Sequence, residues 1–188
     1  LSSSSAASDV YKRQDQTHHA ISRFIGSKKE QTYFVSNFSM GIRFVLDCLP
    51  KGSNVLYLKD DYHSLVDAIE ERDFNHFSLS IEEQLEEKIE HALSQNNFHA
   101  LIISLVQFTH GFKIDFDFLA QLKEKYPQFL IIGDATQHIG ADLFDFNASP
   151  FDAIACSGYK WLLAGLGNGF IVLSAHFFHD TTFCYVHF

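Results

Sequence analysis

The sequence predicts an α/β domain built as three layers, αβα, around a mostly parallel central sheet. Three observations lead there. Apolar runs of strand length recur at residues 32–36, 55–58, 100–108, 129–132, 153–156 and 169–174, with helix-period stretches at 40–49, 81–93 and 115–126 between them. The run at 100–108 is long and unbroken, as a strand covered on both faces should be. The chain has 188 residues, 46% of them hydrophobic, which suffices for one domain with a sizeable core.

Residues 1–14, a Ser/Ala run followed by Val-Tyr-Lys-Arg-Gln, carry no apolar period and are expected to be a non-native leader. They lack the basic start and sustained apolar region of a signal peptide. The chain begins at Leu1, so its true N-terminus is expected to lie elsewhere. From Asp15 a short helix is predicted, with Ala20, Ile21, Phe24 and Ile25 on one side. His18 and His19 diverge by about 100° on that helix, so they read as surface histidines and not as metal ligands.

Strand 32–36 runs into Asn37-Phe38-Ser39, a turn that starts the helix at 40–49, closed by Pro50 and Gly52. Ser39 is predicted to cap it. Free amides at a helix start, with the helix dipole behind them, also suit an anion. Strand 55–58 ends in Asp60-Asp61-Tyr62-His63-Ser64. The helix at 81–93 sets Ile81, Leu85, Ile89, Ala92 and Leu93 on one stripe among glutamates, a solvated surface helix. After strand 100–108 comes Thr109-His110-Gly111, then the helix at 115–126, which Pro127 stops.

The stretch from Phe129 to Phe170 carries the chemistry. Asp134, Thr136 and Gln137 follow strand 129–132, and Ser157, Tyr159 and Lys160 follow strand 153–156. Open α/β sheets hold their ligands at the carboxyl ends of strands, so a carboxylate and an amine are expected at one mouth. From spacing alone, Asp134 and Lys160 make a salt bridge as readily as a site. Gly165, Gly167 and Gly169 then allow a tight loop folded against that mouth.

Asp-Ala-Thr-Gln at 134–137, Ser-Gly-Tyr-Lys-Trp at 157–161 and the glycine-spaced turn into Phe170-Ile171-Val172-Leu173 resemble the aminotransferase class V family of pyridoxal-phosphate enzymes. The likeness extends from about Tyr33 to Ser174. It implies the large cofactor-binding domain of fold-type I enzymes over residues 15–188, without the C-terminal small domain. It implies pyridoxal 5'-phosphate as cofactor, a small amino acid as substrate and a homodimer.

Carried over by position, the resemblance makes Lys160 the Schiff-base lysine, since only a primary amine forms the imine and can later move protons at Cα. Asp134 faces the pyridine nitrogen and keeps it protonated, so that the ring accepts electrons. Gln137 lies near the ring and its phenolic oxygen; read alone, it is a loop amide satisfying backbone. The Phe38 and Ser39 amides, with the Ser39, Ser157 and Tyr159 hydroxyls, hold the phosphate; read alone, Ser39 is a helix cap. Tyr62 stacks on the ring where many members carry His, or else covers the sheet edge. Gln107 stands beside the position of a family Asn, which is Phe108 here. Ser64 is expected to leave cofactor affinity nearly unchanged.

The activity so implied is that of an aminotransferase-like enzyme. A cysteine desulfurase or selenocysteine lyase, a kynureninase-like lyase, or a truncated non-catalytic relative are the alternatives, and the fragment alone is expected to be inactive. The formal charge of −9 argues against nucleic acid or an anionic membrane surface as partner. No apolar run approaches membrane-span length. Cys48, Cys156 and Cys184 show neither paired nor metal-ligand spacing, which predicts a reduced cytoplasmic setting. His176, His179 and His187 lack acidic or cysteine partners at suitable spacing, so no metal site is expected.

Overall fold

The structure, a computed structural model, describes residues 3–180, with side chains described from 9 to 179. The chain runs α1 (Ser3–Phe24), β1 (Thr32–Val35), α2 (Phe38–Asp47), β2 (Asn54–Leu58), α3 (His63–Glu70), β3 (Asn75–Leu79), α4 (Leu85–Gln95) and β4 (Ala100–Ser104). It continues through α5 (Phe116–Lys125), β5 (Leu130–Asp134), β6 (Ala153–Ser157), β7 (Gly169–Leu173) and α6 (Ala175–Asp180).

All seven strands form one sheet in the order β1-β7-β6-β5-β4-β2-β3. The β3–β2, β2–β4, β4–β5 and β5–β6 pairs are parallel, and β7 runs antiparallel between β6 and β1. Side chains alternate across the sheet as a period of two requires. Leu56, Leu101, Ile103, Ile131 and Ile154 pack on one face against Ile89 of α4 and Leu119 of α5. Val55, Ile102, Ile132 and Ala155 pack on the other against Ile42 of α2 and Leu65 of α3. Two buried clusters, one per face, make the three layers expected from the sequence.

Several boundaries differ from expectation. The first helix starts at Ser3, twelve residues before Asp15, and runs unbroken through the segment set aside as a leader. The cap of α2 is Asn37, whose Oδ1 accepts the Met40 N–H at 2.9 Å; Ser39 lies inside the helix. β3 was not anticipated, because this edge strand reads Asn-His-Phe-Ser-Leu and is largely exposed, so it carries little apolar pattern. α4 begins at Leu85, after Gln84 in a left-handed conformation at φ 60°. β4 ends at Ser104, where an acidic side chain takes over the Ser104 amide.

Cys156 is a free, buried thiol, pushed up by burial. Cys48 is disulfide-bonded, which corrects the expectation of unpaired cysteines; Cys184 and His187 lie outside the described residues. Among the described residues, no helix is long and apolar enough to cross a membrane, and no group of three or more His, Cys, Asp and Glu could hold a metal.

Candidate active site

The parallel strands and β1 all end at one edge of the sheet, and a cavity of about 390 Å³ opens there. All eight residues expected at the site line it: Asp134 from β5; Gln137 beyond it; Ser157, Tyr159 and Lys160 from the exit of β6; Phe38 and Ser39 from the start of α2; and Tyr62 from the exit of β2. Asn37, Ser104, Val106, Phe108, Thr136, Leu166 and Gly167 line it as well.

The lysine loop is shaped by its backbone. The Gly158 N–H donates to the Asn168 carbonyl at 2.7 Å, and the Ala164 N–H donates to the Gly158 carbonyl at 2.9 Å. Gly165 and Gly167, at φ 76° and 78°, turn the chain where a side chain would be strained. This folds Tyr159 and Lys160 back to the mouth, with the Lys160 ammonium 5.7 Å from the Tyr159 ring centre. Trp161 Nε1 donates to Gln137 Oε1 at 3.1 Å, tying the exits of β5 and β6 together.

Asp134 is buried, and its Oδ1 accepts the Thr136 N–H at 2.9 Å. Burial pushes its carboxyl up to about 7; the Thr136 hydrogen bonds oppose this, and the charge of Asp61 adds to it. A carboxylate so strained in its charged form gains from a cationic partner in the cavity. Thr136 also accepts the Ser157 N–H on its hydroxyl at 3.1 Å, which sets β6 against β5 at the strand ends.

At the anion-suited end, the Phe38 N–H donates to the Ser157 hydroxyl at 2.7 Å, so that amide is already engaged inside the protein. The Ser39 N–H lies in the first turn of α2, where a helix amide has no intrahelical acceptor. Its hydroxyl is 2.6 Å from that of Ser64. Ser64 thus donates to a hydroxyl that lines the cavity. Gln107 does not line the cavity; its Nε2 donates to Asp61 at 3.1 Å, while Val106 and Phe108 on either side face the opening.

Sequence reasoning missed Asp61. It stood in a polar cluster, Asp60-Asp61-Tyr62, with nothing in the pattern to distinguish the buried acid from the exposed one. Its signal was positional, since it follows strand β2 at the end of the sheet where Asp134 closes β5.

A mostly parallel sheet covered on both faces, with a lysine and a buried acid at adjoining strand exits, is the architecture of fold-type I pyridoxal-phosphate enzymes. The chain belongs to the aminotransferase class-V family, which matches it over residues 2–182. No curated protein sequence matches it. Among solved structures, it is similar to the cystine C-S lyase C-DES in complex with cysteine persulfide, with a TM-score of 0.87 and 14% identity over 96% of this chain and 51% of that one. A C-DES mutant with glycine covalently linked to its PLP cofactor gives a TM-score of 0.86 and 14% identity over 96% and 50% of the two chains. The ureidoglycine-glyoxylate aminotransferase of Bacillus subtilis gives 0.77 and 16% over 88% and 44%. The chain thus spans about half the length of these proteins.

The residues present fit pyridoxal phosphate. The Ser39 amide at a helix start and the Ser39 and Ser157 hydroxyls suit the phosphate. Tyr62 and Phe108 offer aromatic faces to a ring, and the buried Asp134 lacks the cation that a protonated ring nitrogen provides.

Proposed function

We propose that this chain is the cofactor-binding half of a pyridoxal-phosphate enzyme of aminotransferase class V type that acts on a small amino acid. The observation that carries this reading is that Lys160 and Asp134 line one cavity with the Ser39 and Ser157 hydroxyls. Lys160 is the amine that holds the cofactor and then moves a proton at the substrate Cα. Asp134 keeps a proton on the ring nitrogen; its buried carboxylate is stabilised in return by that positive charge. The bound cofactor supplies the electron sink for a bond broken at Cα.

Ser39, through its hydroxyl and amide, and Ser157, through its hydroxyl, hold the phosphate, with Tyr159 beside them. Tyr62 flanks the ring on the side of β2. Phe38 shapes the cup by anchoring Ser157 rather than by offering its amide. Gln137 is held by Trp161 with its amide nitrogen left to donate.

Tyr62, where many class V members carry an acid/base His, favours transamination over desulfurase or selenocysteine lyase chemistry. A kynureninase-like lyase keeps an aromatic there and is the second reading. A homodimer fits this reading, because Leu163 and Leu166 on the lysine loop stand 86% and 84% exposed, Leu166 on the cavity lining itself, and call for a cover. A cytoplasmic setting agrees with the buried free Cys156, and the Cys48 disulfide counts against it. Titrating the full-length protein with pyridoxal phosphate tests the reading. Saturable uptake with a protein-bound absorbance band is expected, and its absence overturns the proposal.

A further inference from the structure

The sheet changes its direction of growth between β2 and β4. From β2 the chain steps outward to β3 and then returns to the other side of β2 to form β4. The carboxyl ends of strands at such a switch point flank a crevice suited to ligands. Asp61 sits at this point, only 2% exposed.

Its carboxylate accepts four hydrogen bonds: the Ser104 N–H at 2.9 Å, the Ser104 hydroxyl at 2.5 Å, the Tyr62 N–H at 2.7 Å and Gln107 Nε2 at 3.1 Å. Four donors on one carboxylate compensate its burial and tie the exit of β4, residues 104–107, to the exit of β2. Ser104 is also the register partner of Asp134 across β4 and β5. The ends of β2, β4 and β5 therefore carry Asp61, Ser104 and Asp134 side by side, and the charge of Asp61 reaches Asp134.

The groups that Asp61 ties down form one wall of the cavity. Tyr62 and Ser104 line it directly, and Phe108, next to Gln107, meets the Tyr62 ring edge-on at 5.4 Å. Tyr62 contributes no capping side chain to α3, so the Asp61 carboxylate is what fastens the Tyr62 amide at that helix start. The remaining charged groups on the cavity are Asp134 and Lys160, from other strand exits.

We propose that Asp61 is a positioning residue of this site: it holds the Tyr62–Phe108 wall and Ser104 in register with Asp134, so that an aromatic cofactor ring is received in one orientation. The proposal rests on the pyridoxal-phosphate reading above and adds to it the group that sets the ring's wall. The phosphate cup is built elsewhere, from α2 and the exit of β6, and does not touch Asp61. Asp61 reaches that cup only indirectly, through α3 and the Ser64 hydroxyl on Ser39, so its loss should act more strongly on the ring wall than on the phosphate.

The test is a pair of titrations on full-length wild type, Asp61→Asn and Ser104→Ala, one with pyridoxal phosphate and one with inorganic phosphate. Asp61→Asn removes the charge and disturbs several of the four contacts. It should weaken pyridoxal phosphate by roughly tenfold or more, while inorganic phosphate affinity shifts by less than about twofold. The visible circular dichroism of the bound cofactor should fall as well, because the ring loses its single orientation. Equal weakening of both ligands marks Asp61 as a general structural support and overturns the proposal, as does unchanged affinity for both. If Asp61→Asn does not fold, Ser104→Ala keeps the carboxylate, removes one donor and should weaken pyridoxal phosphate about threefold or more; unchanged binding there overturns the proposal too. Wild type that takes up no pyridoxal phosphate overturns the cofactor reading itself, an outcome distinct from normal wild type with unaffected variants.

Discussion

The Phe38 amide donates to the Ser157 hydroxyl at 2.7 Å, a buried contact between residues 119 apart in the chain. It joins the first turn of α2 to the exit of β6. The two halves of the proposed phosphate cup are therefore one mechanical unit, and Ser157, a proposed phosphate donor, also holds the fold together.

Ser157→Ala should accordingly lower stability and phosphate affinity together. The Phe38 amide would be left buried without its acceptor, which costs about 1–3 kcal/mol, and one donor to the anion would be lost. Urea unfolding of the cofactor-free, full-length protein and a phosphate titration check the two effects. Unchanged stability would mean that the Phe38 amide finds another acceptor.

Ser64→Ala tests a connection visible only in three dimensions. Ser64 lies 2.6 Å from the Ser39 hydroxyl across the gap between α2 and α3. Its loss frees the Ser39 rotamer, and phosphate affinity should fall several-fold, by about 0.5–1.5 kcal/mol, the usual worth of a neutral hydrogen bond. Equal affinities for variant and wild type would show Ser39 to be held by other means.

Gly169→Ala should damage the same cup through sterics. A Cβ at Gly169 would lie 2.8 Å from the Cys156 carbonyl oxygen and 3.0 Å from the Asn37 Cα, both backbone atoms with little room to yield. Overpacking of this kind typically costs about 1–3 kcal/mol, and here it pushes the cap of α2 away from β7. Thermal unfolding of the variant checks it, with a clear drop in Tm expected.

Asp134 makes cofactor-free stability depend on pH in a defined direction. Its carboxyl titrates near 7 in the folded protein against 3.8 for the ordinary group, so the folded state holds the proton longer than the unfolded chain. Its contribution is therefore fully present below about pH 4 and is lost as pH rises through about 7. Asp134→Asn should remove that loss, making the variant more stable than wild type above pH 7 by up to about 4 kcal/mol, while abolishing turnover of the loaded enzyme. Unfolding curves from pH 4 to 8 decide this, and a variant no more stable than wild type at pH 8 would contradict it.

The sheet was legible because its central strands are buried on both faces and leave short apolar runs that polar clusters terminate. Asp134 and Lys160 stand near the ends of such runs, but spacing alone left a salt bridge as ready a reading, and it was the resemblance of Asp-Ala-Thr-Gln and Ser-Gly-Tyr-Lys-Trp to class V enzymes that singled them out. β3 was not, because an edge strand with exposed residues carries no comparable apolar pattern. The capping role at α2 was given to Ser39 when Asn37 holds it, since both residue types cap well and only the geometry of the turn separates them. Asp61, Ser64 and Gln107 act through partners 43, 25 and 46 residues away, and no local pattern encodes such distances.

The most direct measurement is borohydride trapping on the full-length protein. Pyridoxal phosphate is added, the mixture is reduced, and the protein is digested and mapped by mass spectrometry. A single reduced pyridoxyl adduct on Lys160, absent from Lys160→Ala, is the result expected from a lysine that shares its cavity with Asp134, Ser39 and Ser157. An adduct on another lysine, or none at all, would contradict the assignment of this cavity as the cofactor site.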